Sequence, residues 1–96
     1  MDNSGGVTVE MIDCMAAEMK VQDASLNANY KVLISELTEV RKKELLEAQR
    51  AWLRFRELNC KFYYDPDGGT LARVSASDCF LSSTAERALE LKRLLR

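Results

Sequence analysis

The side chains most suited to chemistry in this chain are its three cysteines, Cys14, Cys60 and Cys79, which occur in a sequence without histidine. A nucleophilic cysteine needs a nearby base, and without histidine that base would have to be a lysine or a carboxylate. No Cys-x-x-Cys pair is present, so neither a zinc site nor a redox motif fits. A disulfide is the chemistry that this set favours.

The acidic residues do not form a recognisable catalytic arrangement. The chain has 15 Asp and Glu residues, but no pair has an acid/base setting, and the chain has no phosphate-binding loop. A glycosidase needs two carboxylates about 5 to 9.5 Å apart in a cleft, and a small helical protein offers little cleft. We therefore expect no enzymatic activity, no catalytic residue, no metal and no cofactor.

Charge and hydropathy exclude two further classes of partner. The net charge is −1, with 14 basic and 15 acidic residues, so the chain lacks the basic surface that nucleic-acid binding requires. No apolar run approaches the roughly 20 residues of a transmembrane helix. Residues 1–6 lack a charged start followed by an apolar region, so they are not a signal peptide; they fit either a native start or the remainder after cleavage.

Helical periodicity accounts for nearly the whole chain. Thr8 is a candidate N-cap for a first helix, and Thr38 for a second that ends near Tyr63. One continuous helix from Thr8 to Tyr63 would be about 84 Å long, which favours a reversal near Thr38, although no Gly or Pro forces one. The apolar positions expected in helix one are Met11, Met15, Met19, Leu26, Tyr30, Leu33, Ile34 and Leu37.

The second helix carries the only Trp of the chain. An apolar stripe at intervals of three or four predicts a core face there, with Trp52 and Phe55 as core residues. The stripe consists of Leu45, Ala48, Trp52, Phe55, Leu58 and Phe62. Pro66 and the two glycines of residues 65–69 end this helix, and Thr70 is expected to cap a third. The sequence thus predicts an all-α, small antiparallel three-helix bundle.

In such a bundle Cys60 and Cys79 lie on antiparallel neighbours, on either side of the 65–69 reversal. A link between them would close a loop of about 20 residues and stabilise the fold by roughly 3 kcal/mol. Cys14 is left over. It is either a buried free thiol, half of a bridge whose partner is absent from this chain, or an intermolecular link.

Several spaced motifs together resemble one family. They are Glu10-Met11 with Cys14, Asp23 through Leu26, Asn27 and Tyr30, Gln49 to Trp52, Phe55 to Glu57 with Cys60, Gly68 to Thr70, and Cys79 with Leu81, Thr84, Glu86, Arg87 and Leu91. This pattern resembles the DUF1311 family, also described as the N-terminal domain of the lipoprotein LprI, a lysozyme inhibitor. The match assigns residues 8–96 to the domain and leaves 1–7 as a flexible segment.

The resemblance implies an exported bacterial domain, periplasmic or secreted, with a lipid anchor possible in the full-length precursor. It also implies a disulfide between Cys60 and Cys79. Cys14 takes the second position of an N-terminal pair whose first cysteine would lie a few residues upstream, and residues 2–6 contain none. Trp52, Phe55, Arg56, Glu57, Thr84, Glu86 and Arg87 take structural positions. Among the polar ones we expect an arginine–carboxylate lock between helices two and three.

Two functions follow as hypotheses. The first is an envelope protein that inhibits a cationic hydrolase such as lysozyme, with Tyr63, Tyr64, Asp65 and Asp67 as its partner-binding residues. The same segment also has the residue types that favour a turn, so it needs no partner to account for it. The second is a structural or assembly module of the periplasm without inhibitory activity, which would use the adaptable face of Met11, Met15 and Met19.

Overall fold

The protein is a bundle of three α-helices in the order α1 (Asn3–Ser35), α2 (Glu39–Tyr63) and α3 (Gly69–Arg93). The computed structural model describes the backbone of residues 3–96 and the side chains of residues 9–96. Short connections reverse the chain twice. Because the three helices are long and lie side by side, the molecule is elongated, with extents of 58 × 22 × 14 Å. The predicted all-α antiparallel bundle is confirmed.

The first helix begins earlier than the sequence predicts. It starts at Asn3, so Thr8 lies inside the helix and its predicted role as the N-cap is wrong. A Thr cap is a preference worth about 1 kcal/mol, and no proline in Asn3–Val7 removes a backbone donor. The flexible segment predicted for residues 1–7 falls partly on residues 1 and 2, outside the described residues, and the domain boundary at residue 8 stays a prediction.

The reversal between α1 and α2 lies where the sequence places it. Thr38 is the N-cap of α2, in an extended conformation with φ −68° and ψ 164°. Its Oγ1 accepts a hydrogen bond from the backbone N–H of Arg41 at 3.4 Å, which satisfies one of the donors that a helix start leaves free. The prediction of two separate helices is confirmed.

The second reversal depends on its two glycines. Gly69 has φ +61°, which an L-residue with a side chain adopts only at a cost. A Cβ atom on Gly68 would stand 2.8 Å from the Cβ of Ala72, so the turn packs closely against the first turn of α3. Because α3 already begins at Gly69 after Gly68, Thr70 lies inside the helix and its predicted capping role is wrong.

The third helix is the centre of the fold, because both α1 and α2 pack against it, whereas α1 and α2 scarcely contact each other. The buried core joins α1 to α3 through Leu26, Leu33, Ala88 and Leu91. Partly buried apolar side chains surround this core: Tyr30, Leu37, Leu45, Trp52 and Leu95. The side-chain amide of Asn29 also donates to the carbonyl of Ala88 at 2.9 Å, which fixes α1 along α3.

The buried face of α2 differs from the predicted apolar stripe. Phe55 is 61% exposed and Phe62 is 81% exposed, so the predicted core role of Phe55 is wrong. The residues of α2 that are buried or half-buried include Leu45, Gln49, Trp52, Arg56, Asn59 and Cys60. This face is partly polar because its side chains meet hydrogen-bonding groups on α3, and such pairing removes the cost of burying them.

A disulfide joins α2 to α3. Cys60 and Cys79 are bonded, with their Cα atoms 5.4 Å apart, as the sequence predicts. Cys60 is fully buried. Cys14 is a free, exposed thiol, so the buried alternative for this residue is wrong, and the two alternatives that involve a partner stay open.

No helix within residues 3–96 is both long enough and apolar enough to span a bilayer.

Replacing both bonded cysteines, Cys60→Ser with Cys79→Ser, is expected to lower the free energy of unfolding by about 3 kcal/mol, because the unfolded chain regains the freedom of the closed loop. Urea denaturation followed by circular dichroism measures the change. Cys14→Ser, on an exposed face, is the control and should leave stability within about 0.5 kcal/mol. Equal stability of the double variant and the control would refute the stabilising role of the bridge.

Leu91→Ala is expected to destabilise the protein by about 2–5 kcal/mol, because Leu91 is fully buried in the α1–α3 core and its truncation leaves a cavity. Leu89→Ala is the matched control on the same helix, since Leu89 is 46% exposed, and should cost less than about 1 kcal/mol. The comparison of their midpoints in thermal denaturation checks the position of the core.

Candidate functional site

The turn between α2 and α3 is held in one conformation by hydrogen bonds within the turn itself. The carboxylate of Asp65 accepts a hydrogen bond from the N–H of Asp67 at 2.9 Å, and its carbonyl accepts one from the N–H of Gly68 at 3.0 Å. This is the pattern in which an Asp side chain closes a turn locally. With the disulfide one helical turn away, the loop is ordered before any partner binds.

The four residues predicted to bind a partner all lie on the surface of this turn. Tyr63 and Tyr64 are each 49% exposed, and Asp65 and Asp67 are exposed. Of the two aspartates, Asp65 is engaged in closing the turn. The ring of Tyr63 also meets the ring of Phe62 edge-on, with centroids 6.0 Å apart. The turn thus presents two half-exposed phenols and two carboxylates on a constrained loop.

A polar groove of about 340 Å³ lies beside the disulfide and reaches this turn through Tyr63. Side chains from both α2 and α3 line it: Asn59, Tyr63, Ser75, Asp78, Cys79, Ser82, Ser83 and Glu86. The Asn59 amide lies 3.8 Å from the sulfur of Cys79, so the bridge itself forms part of the wall. The groove is open to solvent and does not enclose a ligand.

The charge of the groove is negative. Asp78 and Glu86 are its two charged lining residues, and neither lysine nor arginine is among the side chains that line it. Ser82 Oγ donates to Asp78 Oδ1 at 3.5 Å, and the other serines add hydroxyl groups. An arrangement of carboxylates and hydroxyls suits a guanidinium or ammonium group of a partner, because such a cation can donate several hydrogen bonds at once.

Most of this groove is not predicted by the sequence. Glu86 is predicted only as a structural residue, and no role is predicted for Asp78. The available signal was the spacing of Ser75, Asp78, Ser82 and Glu86, which at intervals of three and four places polar side chains along one side of α3. What the spacing does not reveal is that Asn59 and Tyr63 of α2 form the opposite wall.

The predicted arginine–carboxylate lock is replaced by a different contact between α2 and α3. Arg56 Nη1 donates to Thr84 Oγ1 at 2.9 Å, and Thr84 is fully buried. The Arg56 guanidinium also lies over the rings of Trp52, at 4.9 Å, and Phe80, at 5.4 Å from their centroids. Arg56 therefore joins the helices as predicted, but through a hydroxyl and two aromatic faces instead of a carboxylate.

The two glutamates proposed for that lock, Glu57 and Glu86, are exposed. Arg87 instead donates from Nε to Gln49 Oε1 at 3.0 Å and pairs with Glu90 on its own helix. Its guanidinium also lies 6.0 Å from the centroid of the Trp52 ring. Two arginines thus meet the same indole, and this cluster is structural: it fixes α2 on α3 beside the groove.

Two further kinds of site, a metal site and the methionine face, have less support in the structure. Among the side chains of residues 9–96, no group of three or more Cys, Asp or Glu residues is arranged to hold a metal ion. On the methionine face, Met15 and Met19 are half-buried, and Met11 is 44% exposed. This face is therefore only partly open to a partner.

Comparison with known proteins gives one family and one relative. The model of a family described as "Lysozyme inhibitor LprI" matches residues 1–91. An uncharacterised protein of Rhizobium meliloti (strain 1021) is 26% identical to this chain over an alignment of 96 residues in length. The alignment covers 85% of this chain and 69% of the relative. No solved structure matches the chain.

Thr84→Val is expected to lower the free energy of unfolding by about 1–3 kcal/mol, because the isosteric change leaves the half-buried Arg56 guanidinium without its hydroxyl acceptor. Ser82→Ala, at an exposed position of the same helix, is the control. In a double-mutant cycle, Thr84→Val combined with Arg56→Leu should cost less than the sum of the single changes. Additive costs would show that the two side chains do not stabilise each other.

Proposed function

Because this chain belongs to the family described as lysozyme inhibitor LprI, we propose that it is a binding protein of the bacterial cell envelope that inhibits a cationic hydrolase of lysozyme type. Inhibition is by occlusion, and the protein itself is not an enzyme. The partner-binding surface combines the turn residues Tyr63, Tyr64, Asp65 and Asp67 with the acidic groove beside them. The observation that carries the proposal is this acidic, pre-ordered surface next to the disulfide.

Electrostatic complementarity supports a cationic partner. Asp78 and Glu86 line the groove without a basic neighbour among its lining residues, and Asp67 adds a third exposed carboxylate at its turn end. Opposite charges on two surfaces accelerate encounter and fix their relative orientation. A basic side chain of the hydrolase enters the groove, while the rest of the turn covers the neighbouring surface of the enzyme.

The two tyrosines supply the apolar part of the contact. Each is 49% exposed, and tyrosine combines a large rigid ring with a hydroxyl that pairs with polar groups, which makes it common at the centre of interfaces. Because the hydrogen bonds of Asp65 and the disulfide already order the loop, little conformational entropy is lost when the partner binds. The groove is open to solvent, which also fits this role better than catalysis in a cleft that encloses a substrate.

Membership of this family supports a location outside the cytoplasm, in the periplasm or beyond the cell. The Cys60–Cys79 bridge agrees with that location, because disulfides persist in oxidising compartments. In a full-length precursor, a signal peptide or lipid anchor would deliver it there. The hydrolases met in that compartment act on the cell wall, which is the setting in which an inhibitor has a use.

The second candidate function is an assembly module that binds another envelope protein and inhibits nothing. The methionine face favours it in part, since Met11 is 44% exposed. The two functions differ in the surface used: the turn and groove for the inhibitor, and the face of Met11, Met15 and Met19 for the module.

The inhibitor proposal is tested by following the lysis of a cell-wall suspension by a lysozyme in the presence of this protein. The wild type is expected to slow lysis. Asp78→Asn with Glu86→Gln should raise the inhibition constant about tenfold or more, which corresponds to roughly 1.4 kcal/mol of binding free energy. The weakening should shrink as salt is added, because salt screens the exposed charges.

The matched control is Glu39→Gln with Glu44→Gln, which changes the net charge equally but at the opposite end of α2. Inhibition by this variant should equal that of the wild type. Complete lysis at a large molar excess of the wild type contradicts inhibition of that hydrolase. An equal loss of inhibition in both double variants contradicts the groove as the binding site.

A further inference from the structure

One side of α2 carries a row of exposed apolar side chains that no other described part of the chain covers. Phe55 is 61%, Leu58 52% and Phe62 81% exposed. Ala51 and Ala48, one and two turns before Phe55, are exposed as well, and Ala48 also lines a groove shared with α1 and the C-terminal residues. These five residues are called the α2 stripe. Three large apolar side chains in a row on so small a protein mark an interaction surface.

The spacing of the α2 stripe matches one kind of partner, another α-helix. Its residues follow each other at intervals of three, four, three and four, which is the seven-residue repeat of coiled coils. A seam with this repeat stays in register with a second helix over two heptads. A globular surface or a strand places no such requirement on the spacing.

The sizes of the side chains along the α2 stripe indicate that the second helix is the same one, in antiparallel orientation. The first two positions, Ala48 and Ala51, are small, and the next two, Phe55 and Leu58, are large. When two copies are antiparallel with Ala51 opposite Phe55, Ala48 falls opposite Leu58. Two of the three large side chains, Phe55 and Leu58, then face small ones, which is how facing layers of a core interdigitate, and Phe62 at the end of the contact lies opposite Glu44.

The charges beside the α2 stripe agree with the same register. Glu47 immediately precedes the first stripe residue and Lys61 immediately precedes the last. In the antiparallel register, Glu47 of each copy flanks Lys61 of the other, so the two-fold symmetry forms this pair twice. The Arg54 side chains of the two copies meet near the two-fold axis and repel each other. Glu57, one turn away on the same helix, offsets part of this repulsion.

We propose that the α2 stripe is a homodimerisation surface, on which two copies of this chain associate through antiparallel α2 helices. Four helical turns of contact give an interface below the ~1,200 Å² of standard complexes, so the dimer forms and dissociates with protein concentration. The 65–69 turns then lie at opposite ends, roughly 35 Å apart at 1.5 Å per residue. The dimer leaves both turns open and does not depend on what they bind.

Sedimentation velocity over a concentration series tests the proposal, with every variant in a Cys14→Ser background so that the exposed thiol cannot link two chains. The parent protein is expected to shift from monomer to dimer as concentration rises. Phe55→Ser should raise the dissociation constant at least tenfold. Leu89→Ser, at a 46% exposed position on α3 outside the α2 stripe, should leave it unchanged, and circular dichroism confirms that each variant is folded.

A charge exchange tests the orientation. Glu47→Lys and Lys61→Glu are each expected to weaken the dimer, because each places like charges together twice. The double variant should restore the parent dissociation constant to within about threefold, since both pairs regain opposite charges.

Three results overturn the proposal. The first is a parent protein that stays monomeric up to about 1 mM, a concentration at which even a millimolar dissociation constant gives a detectable dimer. The second is a dimer whose dissociation constant Phe55→Ser does not raise, and the third is a double charge variant that dimerises more weakly than both single variants. Loss of lysozyme inhibition is a separate readout, so failure of the dimer leaves the inhibitor proposal standing, and the reverse holds as well.

Discussion

The position of the Arg56 guanidinium between α2 and α3 is the constraint from which the rest of the structure follows. It lies over the rings of Trp52 and Phe80 and donates to the buried hydroxyl of Thr84. Even a half-buried cation such as Arg56 is costly without an opposite charge, unless aromatic faces and hydrogen bonds replace the water that it loses. Here they do so for most of the group, although Arg56 Nε has no hydrogen-bond partner. To satisfy Arg56, α2 must turn its polar side inward.

That rotation has a consequence for the outer surface. Because Gln49, Trp52 and Arg56 face α3, the phenylalanines of α2 cannot also be buried, and they point to solvent. The bundle therefore has two kinds of contact. Between α1 and α3 it is an apolar core centred on Leu26 and Leu91, and between α2 and α3 it is a polar contact closed by a disulfide. The first supplies hydrophobic stabilisation, and the second fixes orientation beside the candidate site.

The disulfide, the turn and the acidic groove form one rigid unit. Cys79 lies in the groove wall, and the bonded Cys60 is one turn before Tyr63. This unit presents charges and rings on an open surface. The proposed inhibition uses this unit, in keeping with a family described as lysozyme inhibitor LprI. The proposed homodimerisation uses the α2 stripe, a different part of the surface.

The sequence by itself determined the helices, their two reversals, the bonded cysteines and the family, because these depend on local signals: periodicity, Thr38, the residues of the 65–69 turn and the order of spaced motifs. It also placed Arg56 as a tie between helices. Only the tertiary structure decided which face of α2 is inside. Both an apolar stripe and a polar one have helical spacing, and the choice depends on Thr84, Gln49 and Arg87 meeting across two helices. The groove lining is non-local for the same reason, so spacing on α3 alone could not reveal it.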